Sequence, residues 1–272
     1  LRKNGSSKER DTLISSPPAL QLYSLREQLA TGRKPVLRRI ADFGYGAVEP
    51  YDVRTDPEQL RADLDEVGLA VCSVHAGLLG EGDDVLLRGA QTVDADTVIV
   101  PWVPPERFAD AEAIAVLAGE LNQAAAKATD HGLRLGYHNH DFELSSIVGG
   151  RPGLEVLADA LDPAVILEVD TYWAAVGGQD VPALLRRLGD RVRYLHVKDG
   201  PITRNDPMTA VGGGLMPVPE ILAACPSAQW HVVELDYCAT DMLTAVGDSL
   251  AWLAQHNLAR PVRRSSSAGP AA

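Results

Sequence analysis

The sequence predicts an α/β fold, a single-domain (β/α)8 TIM barrel, and three observations carry that expectation. About eight short runs rich in Val, Ile and Leu alternate with longer amphipathic segments along one continuous chain. Such alternation implies parallel strands joined by right-handed helical crossovers. The competing doubly wound open sheet lacks its signatures, since no GxGxxG follows the first run and no GxxxxGK[ST] occurs anywhere. Finally, ionisable residues close run after run at the same end, as they do where a barrel gathers its chemistry at the carboxyl ends of its strands.

Taken in order, the strands are expected at Ala19–Ser24, Ala47–Glu49, Ala70–His75, Thr97–Pro101, Arg134–Asn139, Val165–Asp170, Val192–Lys198 and Trp230–Leu235. The helices between them are expected near Pro35–Phe43, Pro57–Val67, Val85–Val93, Asp110–His131, Gly153–Leu161, Val181–Leu188, Pro219–Ala224 and Thr240–His256. Their edges are punctuated. Asp56 before Pro57 offers an N-cap and a first-turn proline, Asp180 precedes another start, and Gly68 and Gly132 follow their helices as C-terminal caps. The run Gly212-Gly213-Gly214 lies between the last two strands and reads as a mobile or close-approach loop.

Bulk properties narrow the function. A chain of 272 residues, 46% of them hydrophobic, can bury one large core. The domain is expected over residues 19–259, with a flexible arm at 1–18 and a disordered tail at 260–272. A net charge of −12, spread along the chain, opposes binding to nucleic acid. Cys72, Cys225 and Cys238 are far apart and form no CxxC pair, so neither a disulfide framework nor a thiolate zinc site is indicated. No run reaches the length of a membrane span and no secretory apolar segment stands near the start. A cytoplasmic protein without membrane partners is expected.

The strand ends carry the chemistry. Glu49 closes the second strand, His75 the third, His138-Asn139-His140 the fifth, Glu168 and Asp170 the sixth, His196 and Lys198 the seventh, and Glu234 and Asp236 the eighth. Side chains two apart share a face, so four successive strands deliver paired ionisable groups to one rim. Burying so many costs several kcal/mol unless they pair or bind a metal. His and carboxylate donors together suit Mn²⁺, Co²⁺, Zn²⁺, Fe²⁺ or Mg²⁺ and leave positions open for substrate oxygens.

The stretches QLYSLREQL, GYGAVEPYD, GYHNHDFEL, LEVDTYWAAVGG, RVRYLHVKDG and VVELDY, in this order, resemble the sugar phosphate isomerase/epimerase superfamily, the xylose isomerase-like TIM barrels. The resemblance spans roughly residues 20–258. It implies one divalent ion, Mn²⁺ foremost, a small sugar or polyol substrate, and often a homo-oligomer. By position it places metal ligands at Asp170, His196 and Glu234, with His138 where ketose epimerases of this superfamily carry a glutamate. That departure removes one of two glutamates that work on opposite faces of the substrate.

What the resemblance implies mechanistically is proton abstraction next to a carbonyl, through an enediolate. The leading expectation is an isomerase or epimerase of a keto-sugar or keto-polyol. The alternative is a lyase, an inosose dehydratase or a keto-glycoside eliminating enzyme, and a non-catalytic sugar-binding protein ranks below both. Glu234 or Glu168 is expected as the base, with His140 as alternative base or acid and Lys198 as donor to the substrate oxygen. Glu49, His75 and Asp236 are expected to bind substrate hydroxyls, and Trp102 and Trp173 to stack on a sugar ring.

Overall fold

The computed structural model describes residues 17–79 and 83–263. Eight parallel strands form the barrel: β1 (Ala19–Gln21), β2 (Ala47–Glu49), β3 (Ala70–Val71 continuing as Val74–His75), β4 (Thr97–Val100), β5 (Arg134–His138), β6 (Ile166–Asp170), β7 (Val192–Val197) and β8 (Trp230–Val233). Each pairs with its sequence neighbours, and β8 pairs with β1. The ring closes through β3, whose first half bonds to β2 and whose second half bonds to β4.

Every strand turns alternate residues inward. Ala19, Ala47, Cys72, Ile99, Ile166, Tyr194 and Val232 make a small apolar plug inside the barrel, while the large core lies between barrel and helices. Gly136 belongs to the same inward series. A Cβ there would sit 3.1 Å from both Ile99 Cγ1 and Ile166 Cγ1, so the glycine of GYHNH makes room for the plug beneath His138. Counting two residues up from the plug reaches Gln21, Glu49, His138, Glu168, His196 and Glu234, which is why the polar cluster rests directly on an apolar floor.

β3 departs from this regularity. Cys72 belongs to the plug and Val74 to the outer core, yet Ser73 bonds to Glu49 inside the barrel and His75 lines the cavity above it. In an unbroken strand Cys72 and His75 would face opposite sides. The irregularity at Cys72–Ser73 slips the phase by one residue and brings both inside.

Several local expectations are corrected. β1 ends at Gln21 rather than Ser24, because the Gln21 side chain accepts from Tyr23 N and starts a 3-10 turn over Leu22–Leu25. Asp56 sits at φ 49° with no side-chain cap, so the helix Pro57–Val67 begins on its proline alone. Asp110, Asp180 and Asp241 do cap their helices, and Gly68 and Gly132 take positive φ as expected. Elements not anticipated include short helices at Arg26–Thr31, Phe142–Ser145 and Thr171–Val176, the last capped by the Asp170 carboxylate, a 3-10 turn at Pro105–Phe108, and a hairpin pairing Ile147–Val148 with Arg151–Pro152.

The glycine run is a pinned close-approach loop. Asp199, buried beneath it, accepts from the amides of Gly200, Gly212, Gly214 and Met216 at 2.8, 2.8, 3.2 and 3.0 Å. Gly212 has φ +90°, and a Cβ there would lie 2.2 Å from Trp252 Nε1. Of the expected arm and tail, residues 1–16 and 264–272 lie outside the described residues. Val262 N donates to Gly44 O at 2.8 Å at the foot of the barrel.

Candidate functional site

The carboxyl ends of the strands bring ten ionisable groups together, all but His140 and Asp236 nearly or fully buried. Glu49, Glu168, Asp170 and His196 have no exposed surface, and His138, Lys198 and Glu234 have at most 5%. A cavity of about 360 Å³ opens above them, lined by His75, His138, His140, Lys198, Glu234 and Asp236 on the polar side and by Tyr23, Tyr51, Pro101 and Trp102 on the apolar side.

Two shells can be distinguished. In the upper one, ligand atoms of His138, Asp170, His196 and Glu234 lie within 4.8 Å of one another. In the lower one, His75 Nε2 meets Glu168 Oε2 at 2.5 Å and Glu49 Oε2 at 3.2 Å, while His196 Nε2 reaches Glu49 Oε2 at 2.7 Å. Gln21 Nε2 and Ser73 Oγ also donate to Glu49. Asn139 fixes the β5–β6 junction: its Oδ1 accepts from Asp170 N at 3.0 Å and its Nδ2 donates to Asp170 O at 3.3 Å.

Lys198 extends its ammonium into three carboxylates, Glu234 at 2.7 Å and Asp170 and Asp236 at 2.9 Å each. These three are its ion partners among the described residues. Three carboxylates thus surround an ammonium that has three donors, and the bond to Asp236 is aligned. Arg204 pairs with Asp141.

The protonation states follow from burial and charge. Burial disfavours the charged form of Glu168, yet the His196 and His75 imidazoles outweigh it and hold the carboxyl well below the usual range. Burial likewise opposes ionisation of Glu234, but Lys198 and His196 prevail and its pKa is also low. Burial raises Asp170 to about 6 despite Lys198. Burial and the neighbouring His196 push His138 well below its ordinary value, leaving a neutral ring suited to metal ligation. Burial and Lys198 lower His140 to about 4, and its Nδ1 has no partner among the described residues.

Those residues fit a divalent ion. Two imidazoles and two carboxylates converge, Asp170 Oδ2 lacks an aligned hydrogen-bond partner among the described residues, and the surrounding carboxylates outnumber the lysine among them. The lower set of His75, His138, Glu168 and His196 also lies within 4.8 Å and shares two rings with the upper one.

The other expected site residues divide by position. His75, Trp102 and Asp236 line the cavity. Glu49 and Glu168 lie below it, and Trp173 is buried, its indole N–H donating to Asp236 Oδ2 at 3.1 Å instead of facing the cavity. Tyr23 and Tyr51 were missed. They form an edge-to-face pair at 5.5 Å on the cavity rim, two residues beyond the inward Gln21 and Glu49, so continuing the same count of two would have found them.

Fold and site together define a (β/α)8 barrel with a buried His/carboxylate cluster that could hold a metal, placed at the carboxyl ends of its strands. More specifically, the chain belongs to the xylose isomerase-like TIM barrels, whose family model matches residues 37–256. An inosose dehydratase of Geobacillus kaustophilus is 30% identical over 191 residues, covering 60% of this chain and 61% of that protein, so the match spans less than two thirds of that relative. Among solved structures, a sugar phosphate isomerase/epimerase from Parabacteroides distasonis superposes with a TM-score of 0.78 at 22% identity, covering 89% of this chain and 95% of the other. A D-psicose 3-epimerase superposes with a TM-score of 0.64 at 15% identity over 90% of this chain and all of the other. At these identities the structures establish the fold. No helix among the described residues is long and apolar enough to cross a membrane.

Proposed function

We propose that this chain is a divalent-metal-dependent enzyme, with Mn²⁺ its first candidate ion, that removes a proton next to the carbonyl of a keto-sugar or keto-polyol and then eliminates a β-hydroxyl or β-glycosyl group. The observation that carries this reading is the quartet His138, Asp170, His196 and Glu234, of which His138 and Glu234 line the cavity, beside a His140 held neutral whose Nδ1 has no partner among the described residues. When bound, the ion would supply Lewis acidity to the substrate carbonyl.

The residues then divide the work. A ring nitrogen of His140 accepts the proton, and the C–H electron pair passes to the carbonyl oxygen. Lys198 donates to that oxygen by giving up one carboxylate, and Asp236, the most exposed of its three partners, yields most easily. Collapse of the enediolate expels the β-substituent, which takes the proton back from His140. One acid–base group therefore suffices. Glu234 is the alternative base, but its Oε2 is held at 2.7 Å by both His196 and Lys198.

The similarity to inosose dehydratases supports elimination over epimerisation, which needs a second group on the opposite face. A second reading, isomerisation, uses the same His140 to return the proton to the neighbouring carbon. With Lys198 and Arg204 both engaged by carboxylates, the site favours an unphosphorylated substrate. Cys72, Cys225 and Cys238, all free thiols, accord with a reducing cytoplasm, and a homo-oligomer completes the proposal.

The experiment is NMR of the Mn²⁺-, Co²⁺- and Mg²⁺-loaded protein with inososes and keto-sugars in D2O. Loss of the α-proton with an enone product supports elimination, and an aldose or ketose product supports isomerisation. Undiminished exchange in His140→Asn, or no metal uptake by the wild type, defeats the mechanism.

A further inference from the structure

A neutral imidazole carries one proton on two nitrogens, and only the bare nitrogen can ligate. Which one is bare depends on the partner of the other. His138 and His196 each place their two nitrogens in opposite shells. His138 Nδ1 lies 3.0 Å from Glu168 Oε2, and its Nε2 faces Asp170 Oδ2 at 3.8 Å. His196 Nε2 lies 3.1 Å from the same Glu168 oxygen, and its Nδ1 faces Glu234 Oε2 at 2.7 Å. Glu168 itself is wholly buried and does not line the cavity.

We propose that Glu168 is a positioning residue: its Oε2 accepts from His138 Nδ1–H and His196 Nε2–H together, leaving His138 Nε2 and His196 Nδ1 bare for a divalent ion shared with Asp170 and Glu234. This rests on the metal-dependent reading above and assigns Glu168 a task other than the base. Glu49, 2.7 Å from His196 Nε2, assists at one ring only. Glu168 serves both, so its loss frees His138 to turn or change tautomer and leaves His196 with Glu49 alone. The same arrangement makes His75 a third donor to that oxygen, which holds the carboxylate in place.

The test has two arms. In the first, the zinc-loaded wild type is examined by nitrogen NMR of its histidine rings. Protons on His138 Nδ1 and His196 Nε2 are expected, and either ring in the opposite tautomer overturns the proposal without any variant. In the second, Mn²⁺ binding is titrated for the wild type, Glu168→Gln and Glu168→Ala, with folding checked in chelator by circular dichroism. One ion per chain is expected throughout, bound about 10- to 100-fold more weakly by Glu168→Ala. Glu168→Gln should fall between, since its amide oxygen still accepts. Unchanged affinity overturns the proposal. So does a wild type that binds two ions and a variant that binds one, because Glu168 would then be a ligand in the lower set. Binding with the expected tautomers but no turnover would defeat the proposed reaction alone, whereas no binding by the wild type defeats both.

Discussion

Asp199→Ala is expected to loosen the loop over residues 200–217 and to cost the whole protein about 3–5 kcal/mol. The magnitude follows from the four amides that converge on one buried carboxylate, Gly200 and Met216 on Oδ1 and Gly212 and Gly214 on Oδ2. A hydrogen bond to a charged group contributes about 1.5–3 kcal/mol, but the four are not additive, because an opened loop regains water at its amides. For a chain of this size the loss corresponds to a fall in Tm of about 6–20 °C. Asp199→Asn separates the contributions: one side of the amide still accepts two bonds, while the other meets two N–H groups with an NH2. Urea unfolding measures the total, and hydrogen exchange at Gly212, Gly214 and Met216 localises it. Unfolding free energies of both variants within about 1 kcal/mol of wild type would refute the reasoning.

Two further outcomes follow from buried or exposed groups away from that clamp. His231, on the outer face of β8, is held neutral by burial with a pKa lowered to about 4. Between pH 6.5 and 4 the unfolded chain binds the extra proton, so stability should fall by about 3 kcal/mol as pH drops through that window. Chemical denaturation should show that slope flattened in His231→Gln. Trp102 is 52% exposed yet lines the cavity, so Trp102→Ala should leave the melting temperature within about 1 °C while raising KM several-fold with little change in kcat. A large stability loss would show that the indole packs rather than receives substrate.

The barrel was legible because its signals are local and periodic. Strand ends with His138, Glu168, Asp170, His196 and Glu234 needed only the period of two to be placed on one side. That same period does not say how deep a side chain lies once the barrel shears. Glu49 and Glu168 therefore read as rim groups, although the structure seals them beneath the cavity. Trp173 was misplaced for a different reason: the Asp170 carboxylate caps a new helix on its backbone N–H, which turns the indole toward Asp236. The role of Asp199 has no local signal, because its amide partners reach residues up to 17 positions away.

The slip in β3 decides which chemistry that strand offers. Whether His75 or Val74 points into the barrel is decided by one irregular residue at Cys72–Ser73, not by either side chain's chemistry. Deleting Ser73 would leave His75 two residues past Cys72 and still facing inward, so the imidazole would keep its place while the hydroxyl on Glu49 was lost. The slip thus lets one strand present two consecutive polar side chains, the Ser73 hydroxyl to Glu49 and the His75 imidazole to the cavity, where a regular pleat of the same residues would turn His75 outward.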